Sequence, residues 1–249
     1  MMDWRSKIVF AHLDEPPFCF RADGRSSGCD VDVARAILSS IGVPEFEPVI
    51  VEFSDLIPGL VAGRWMMTTG LFITSARREL VDFSRPIWAL PDGLLVSAGN
   101  PKRLTSYASI AAERTASLGV VKGQVQRDAA LAAGVPAARI RYYGSQDEAA
   151  KAVLAGEVDA YASVAMAHRG YLLRQAQSGL AVVDVAPTVG SADNLDPPYG
   201  AFGFAKSSSG LARAVDDALA SYLGSPAHRA LMSTYGFGPV EIDRVATRR

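Results

Sequence analysis

The chain has 249 residues, 49% hydrophobic and 20% charged, with 25 Lys and Arg against 26 Asp and Glu for a net charge of -1. That apolar share suffices for one large domain or two small lobes and excludes a disordered chain. The balanced charge gives no bulk field for nucleic acid or anionic lipid, and no run approaches the ~18 apolar residues of a membrane span.

The opening MMDWRSKIVF enters a strand-like run at once and lacks the build of a secretory leader. The chain is therefore expected to be cytoplasmic, or secreted with its leader removed. Ile8–Phe10 reads as a short buried strand, and the Asp23-Gly24 pair marks a hairpin turn. Asp30 is expected to cap a helix with Val33, Ala34, Ile37, Leu38 and Ile41 on one face, stopped by Gly42 and Pro44. Val49–Phe53 reads as a strand. Ser54 then opens a short helix carrying Leu56, Ile57, Leu60 and Val61, with Pro58 tolerable near its first turn and Gly63 closing it.

The stretch MMTTGLFITSARRELVDFSRP, from Met66 to Pro86, carries the strongest chemistry. A strand is expected to deliver Phe72, and Thr74 to cap a new helical turn through its side-chain oxygen. Arg77 then falls in the first turn, near outward N–H donors, where a guanidinium fork makes a carboxylate receptor. Arg78, beside it, reads as a solvated surface residue.

Strand–helix alternation resumes beyond residue 97. Strands are expected at Leu118–Val121, Ile140–Tyr143, Val158–Ala162 and Ala181–Val185, and helices at Gln124–Ala133, from the capping box Ser145–Glu148 to Gly156, and at Ala165–Gln177. A Gly/Ser/Asp/Pro-rich loop, Pro187–Pro198, precedes a strand at Ala201–Ala205 and helices around Leu211–Tyr222 and Ala227–Tyr235. The pattern gives two α/β blocks, about 1–92 and 97–186, with largely parallel sheets. The helical tail cannot bury Leu211, Val215, Leu219 and Tyr222 alone and must dock on one block. Arg244, Arg248 and Arg249 read as a frayed basic terminus.

Cys19 and Cys29, the only cysteines, could be bridged or could be small buried hydrophobes. His12, His168 and His228 are scattered, so no metal is expected, and no Gly-rich phosphate loop or nucleophile elbow occurs. No cofactor is expected.

EPPFCF, SGCDVDVARAI, FSDLIPGLVAGRW, TGLFITSARRELVDFSRP, LAGEVDAYA and YGAFGFAK, in this order over residues 7–238, resemble the extracellular solute-binding proteins, family 3. These are type II periplasmic binding proteins that serve ABC importers. EPPF, IPGL-x-AGR, GLF-x-x-x-x-R and AGVP-x-x-RI are most similar to the ectoine/hydroxyectoine-binding branch. The resemblance implies a two-lobed α/β fold with a ligand cleft: residues 1–92 and 194–249 form one lobe, and 93–193 the inserted other.

It also implies a small zwitterionic ligand, an ABC permease as partner, a periplasmic location and a monomer that is not an enzyme. Arg77 becomes the carboxylate clamp, and Phe18, Phe53 and Phe72 fall where that branch carries cage aromatics for a cation. Glu15 could pair with the cation or be a solvated loop carboxylate. Asp159 either meets a ligand amino group or bonds local backbone at a strand end. Gly123, Gln124 and Val125 lie at the turn that the second lobe presents to ligand, with Val125 where a hydroxyl residue is typical. Trp88 could line the site or, by the commoner pattern, pack in the core.

One departure stands out: Gly63-Arg64-Trp65 runs into Met66 without the family's usual Asp, one residue short, which bears on the register of the strand to Phe72. A sensory domain of the same fold, or a dehydratase-type enzyme using Glu15 as its acid, are the competing readings.

Overall fold

The computed structural model describes residues 4–175, 179–185 and 198–247. The end of the helix expected to reach Gln177, all but the last residue of the Pro187–Pro198 loop, and Arg248-Arg249 lie outside them. The chain divides into two compact units, Met1–Ala89 with Pro198–Arg249, and Leu90–Pro197.

The first unit runs through β1 (Lys7–His12), β2 (Phe20–Ala22), β3 (Arg25–Ser27), α1 (Cys29–Ser40), β4 (Glu45–Ile50), α2 (Leu56–Val61), β5 (Met67–Phe72), α3 (Ser75–Leu80), β6 (Val81–Phe83) and β7 (Trp88–Ala89). The second holds β8 (Asp92–Ser97), α4 (Tyr107–Ala112), β9 (Leu118–Val121), α5 (Gln126–Ala132), β10 (Ile140–Tyr143), α6 (Gln146–Leu154), β11 (Ala160–Val164), α7 (Ala165–Leu173) and β12 (Leu180–Asp184). The chain then returns to the first unit with β13 (Tyr199–Ala205), α8 (Ser209–Tyr222), α9 (Pro226–Thr234) and α10 (Pro239–Ala246).

Each unit is built around one sheet, ordered β4-β1-β5-β13-β6 with β7 on β13 in the first, and β10-β9-β11-β8-β12 in the second. The parallel expectation holds for β4-β1-β5 and β10-β9-β11 but not for the rest. β13 runs antiparallel to β5 and β6, and β8 antiparallel to β11 and β12. A strand that joins a βαβ series from outside it, as β8 and β13 do, need not share its direction.

Local chemistry explains the other differences. β4 begins four residues before the expected strand, and Pro48 sits in it because β4 is the sheet edge, where a missing N–H costs no ladder bond. Phe53 consequently falls in a 3-10 turn, Phe53–Asp55, rather than ending a strand. Asp23 and Gly24 both take positive φ, 49° and 75°, in the β2–β3 hairpin.

Of the basic residues expected to fray, Arg244 lies instead in α10, which has Pro239 at its start, Glu241 accepting from the Gly238 N–H at 2.9 Å, and Ile242 and Val245 buried. In α6, Ser145 accepts from the Glu148 N–H at 3.2 Å, while Glu148 reaches back to Gly144 at 2.9 Å. α8 docks against α1 and β13, burying Leu211, Val215 and Leu219.

In the second unit, His168 is fully buried, donates through Nε2 to the Gly93 carbonyl at 3.2 Å and stands edge-on to Tyr161. Burial draws its pKa down to about 4. A depressed histidine pKa stabilises the fold above the ordinary value of 6.5 and loses that contribution as pH falls toward 4. His228, also held to about 4 by burial, acts in the same direction. Asp30 and Asp92, raised by burial, act oppositely. Urea unfolding from pH 6.5 to 4 is expected to show His168→Gln removing roughly 3 kcal/mol of the wild type's pH dependence; parallel curves for the two proteins would contradict this.

Candidate ligand site

The site is built on β5. Asp30 does not cap α1, whose N-cap is Gly28. Instead its buried carboxylate leaves the first turn of the helix and accepts from Thr69 Oγ1 at 2.6 Å and the Gly70 N–H at 2.8 Å. Burial raises the Asp30 pKa, while the Thr69 and Gly70 donors pull it back. The bonds fall on an irregularity: β5 pairs Thr68 with Gly203 and Gly70 with Phe202, leaving Thr69 as an extra residue, a β-bulge. The carboxylate thus holds the point where the pairing of β5 with β13 lapses.

Upstream, the Gly63–Met66 segment is anchored by Trp65. Its indole N–H donates to the Leu56 carbonyl at 2.8 Å, and its ring occupies the space beside Gly59 that any Cβ would fill. Met66 N–H reaches the Val9 carbonyl at 3.1 Å, and Met67 pairs with Phe10, so β5 enters the sheet in register.

Phe72 ends β5, 8% exposed, its ring perpendicular to the Trp88 indole with centroids 5.1 Å apart. Phe18 meets the same indole at 5.5 Å and Phe237 at 6.1 Å. Trp88 is itself buried and packs in the core, as the commoner pattern expects, but its neighbours are two of the sequence-derived site residues.

Arg77 follows five residues after Phe72. Its N–H donates to Thr74 Oγ1 at 3.2 Å, the expected cap, and its Nη1 donates to the Phe72 carbonyl at 2.8 Å. The guanidinium lies over the Phe53 ring, 5.5 Å from its centroid. Only 8% exposed, Arg77 has its pKa drawn down by burial to about 10, which leaves it cationic at neutral pH. Phe53 is therefore the partner of the arginine. Arg78, by contrast, is exposed and lies over Phe83.

Phe18, Phe72, Arg77 and Phe53 thus form one contact chain through Trp88. Glu15 opens the turn that presents Phe18: its N–H donates to the Cys19 carbonyl at 2.6 Å, and its carbonyl accepts from Phe18 and Cys19 at 3.1 Å. Cys19 and Cys29 are free and buried, so they are not bridged.

In the second unit, Gly123 takes φ 90° after β9, and Val125 is the N-cap of α5 without a side-chain bond. Asp159 is not at this turn. It precedes β11, whose Ala160 pairs with Leu118 at the start of β9, so it lies at the opposite strand end from Gly123 and Val125. There it accepts from Ser117 N–H and Oγ at 2.8 and 3.0 Å and pairs with Lys102 at 2.8 Å. Asp159 therefore bonds local backbone and side chains at a strand end, as the second of its two expected roles has it, and does not share the turn of Gly123 and Val125.

The turn's own support is Asp92, which accepts from Tyr107 Oη at 2.6 Å and from Gln126 Nε2 at 2.8 Å, the first residue of α5. Burial raises the Asp92 pKa against the pull of those two donors. Sequence reasoning missed Asp92 because Pro91-Asp92-Gly93 reads as a turn, and missed the role of Asp30 because Asp before a helical face reads as a cap. Among the described residues no helix is long and apolar enough to cross a membrane.

The model of the bacterial extracellular solute-binding proteins, family 3, matches residues 8–239. A probable amino-acid ABC transporter periplasmic-binding protein of Sinorhizobium fredii is 31% identical over 242 residues, 96% of this chain and 79% of that protein. The crystal structure of EhuB in complex with hydroxyectoine superposes with a TM-score of 0.83 at 29% identity, covering 98% of this chain and 95% of that one. An ancestral arginine-binding protein bound to glutamine shares the fold, with a TM-score of 0.80 at 23% identity over 93% of this chain and 98% of that one.

Removing the Asp30 carboxylate strands the Thr69 hydroxyl and the Gly70 N–H in the interior. Asp30→Ala is expected to lose about 2–5 kcal/mol, and Thr69→Val, which leaves Gly70 its acceptor, about 1 kcal/mol. Urea denaturation checks both, and a smaller loss for Asp30→Ala than for Thr69→Val would refute the assignment.

Proposed function

The chain belongs to the bacterial extracellular solute-binding proteins, family 3, and on that premise we propose that it captures a small zwitterion, a polar amino acid or an ectoine-like solute, for an ABC importer. The observation that carries this reading is Arg77: a buried guanidinium held by the Phe72 carbonyl at 2.8 Å and backed by the Phe53 ring. A fork fixed in this way receives a carboxylate with little ordering cost, and Arg is the side chain whose planar donors match one.

The cationic end of the ligand goes to Phe18 and Phe72, whose ring faces attract a delocalised or quaternary cation, with Glu15 at the start of the Phe18 turn as counter-charge. In the second unit, Gly123, Gln124 and Val125 form a turn whose following helix is tied to Asp92. The transporter relative and the hydroxyectoine-bound neighbour agree with an ectoine-type or amino-acid ligand and with capture, not chemistry, as the task. The protein works outside the cytoplasmic membrane and delivers its ligand to a permease.

A thermal-shift screen of amino acids, ectoine, hydroxyectoine and betaines tests the reading. A ligand at ~100 times its Kd adds about 2.7 kcal/mol of stability, a rise of several degrees. Arg77→Ala is expected to abolish the shift and Arg78→Ala to preserve it. Equal loss in both variants would remove the clamp assignment.

A further inference from the structure

Trp88 touches the site without being one of the residues proposed to hold ligand. β13 passes between Phe72 and Trp88, and its Gly200 pairs with both: with Phe72 on β5 and with Trp88 on β7. Directly paired residues of antiparallel strands project to the same face of a sheet. With no side chain at Gly200, the indole lies down across the strand and reaches Phe72. A Cβ built at Gly200 would stand 2.1 Å from the indole Cη2, and one at Gly70 would stand 2.7 Å from Nε1. Both distances are shorter than real Cβ atoms tolerate, so the two glycines form a seat that only this flat arrangement uses.

From that seat the indole fixes two rings in different ways. Phe72 stands perpendicular to it, at 81°, and Phe18 leans on it at 43°. Phe18 is closed in from elsewhere by Phe237, and the carbonyl of Phe72 holds Arg77 Nη1. Moving the indole therefore moves the separation between the two rings, while the tie from Arg77 to the Phe72 backbone is left in place.

Resting on the reading of Phe18 and Phe72 as the cationic pole, we propose that Trp88, seated on Gly70 and Gly200, is a positioning residue. It sets the spacing of these two rings and with it the preference for a delocalised or quaternary cation over a primary ammonium. A primary ammonium is compact and strongly hydrated and can be served by a carboxylate or a carbonyl. A delocalised or methylated cation gains chiefly from ring faces held at the right separation. Loss of the spacing therefore weakens the second class more than the first, though both use Arg77.

Calorimetric titration of wild type, Trp88→Leu and Trp88→Phe with hydroxyectoine, glycine betaine and glutamine tests the proposal, with folding checked by circular dichroism. For whichever of hydroxyectoine and glycine betaine the wild type binds, Trp88→Leu is expected to weaken binding at least tenfold. Glutamine should change less than threefold, and Trp88→Phe, which keeps a ring on the seat, should recover much of the loss. Equal weakening of all probes, or no weakening, overturns the positioning role and leaves the zwitterion reading standing. A wild type that binds none of the three overturns both. If Trp88→Leu fails to fold, Trp88→Met, which likewise leaves no ring on the seat, takes its place: the Kd of the bound cation relative to that of glutamine should rise at least threefold, and a ratio identical to wild type counts against the proposal.

Discussion

The Asp30 carboxylate is the contact on which the first unit's site depends. It leaves the start of α1, crosses to β5 and takes the Thr69 hydroxyl and the Gly70 N–H. A bulged strand has a local freedom of twist that an ordinary ladder lacks. Here that freedom is removed by a charge-assisted pair of bonds in the buried interior, where such bonds are strong and their loss costly. Everything downstream on β5, including the ring of Phe72 and the carbonyl that holds Arg77, inherits its position from this point.

A second constraint runs through the aromatic side chains. Phe18, Trp88, Phe72 and, through Arg77, Phe53 touch in series, so the rings and the guanidinium are parts of one packed assembly. Burying a guanidinium is unfavourable without compensation, and the lowered Arg77 pKa reflects that burial. The Phe72 carbonyl and the Phe53 face are two of the groups that compensate it. A carboxylate brought by a zwitterion would add a stronger one, which is why a buried, oriented arginine serves recognition well. The second unit follows the same logic with different parts: Asp92, Tyr107 and Gln126 fix the start of α5 and the turn before it.

Much of this was legible in the sequence because it depends on local chemistry. The Thr74 cap, the five-residue offset from Phe72 to Arg77, the Asp23-Gly24 hairpin and the alternation of strands with helices all follow from neighbouring residues. What was not legible depends on pairs far apart in the chain. Asp30 and Thr69 are 39 positions apart, and nothing local separates a capping carboxylate from one that reaches into a sheet. From the sequence Phe53 reads as part of the cation cage, because a ring at a strand end carries no label for the side chain that will cover it. Asp159 fails for a related reason: a carboxylate beside a strand is placed only when the strand's partner, and hence its end, is known. The directions of β8 and β13 were likewise set by sheet position and not by their own composition.

The central claim is that Arg77 and the Phe18–Phe72 rings are the two poles of one zwitterion site. A crystal structure of the protein with hydroxyectoine, or with whichever probe binds it most tightly, tests this most directly. The account predicts a ligand carboxylate oxygen about 2.7–2.9 Å from the Arg77 guanidinium nitrogens and the ligand's cationic centre against the faces of Phe18 and Phe72. A carboxylate bound away from Arg77, or a cation remote from both rings, would contradict it.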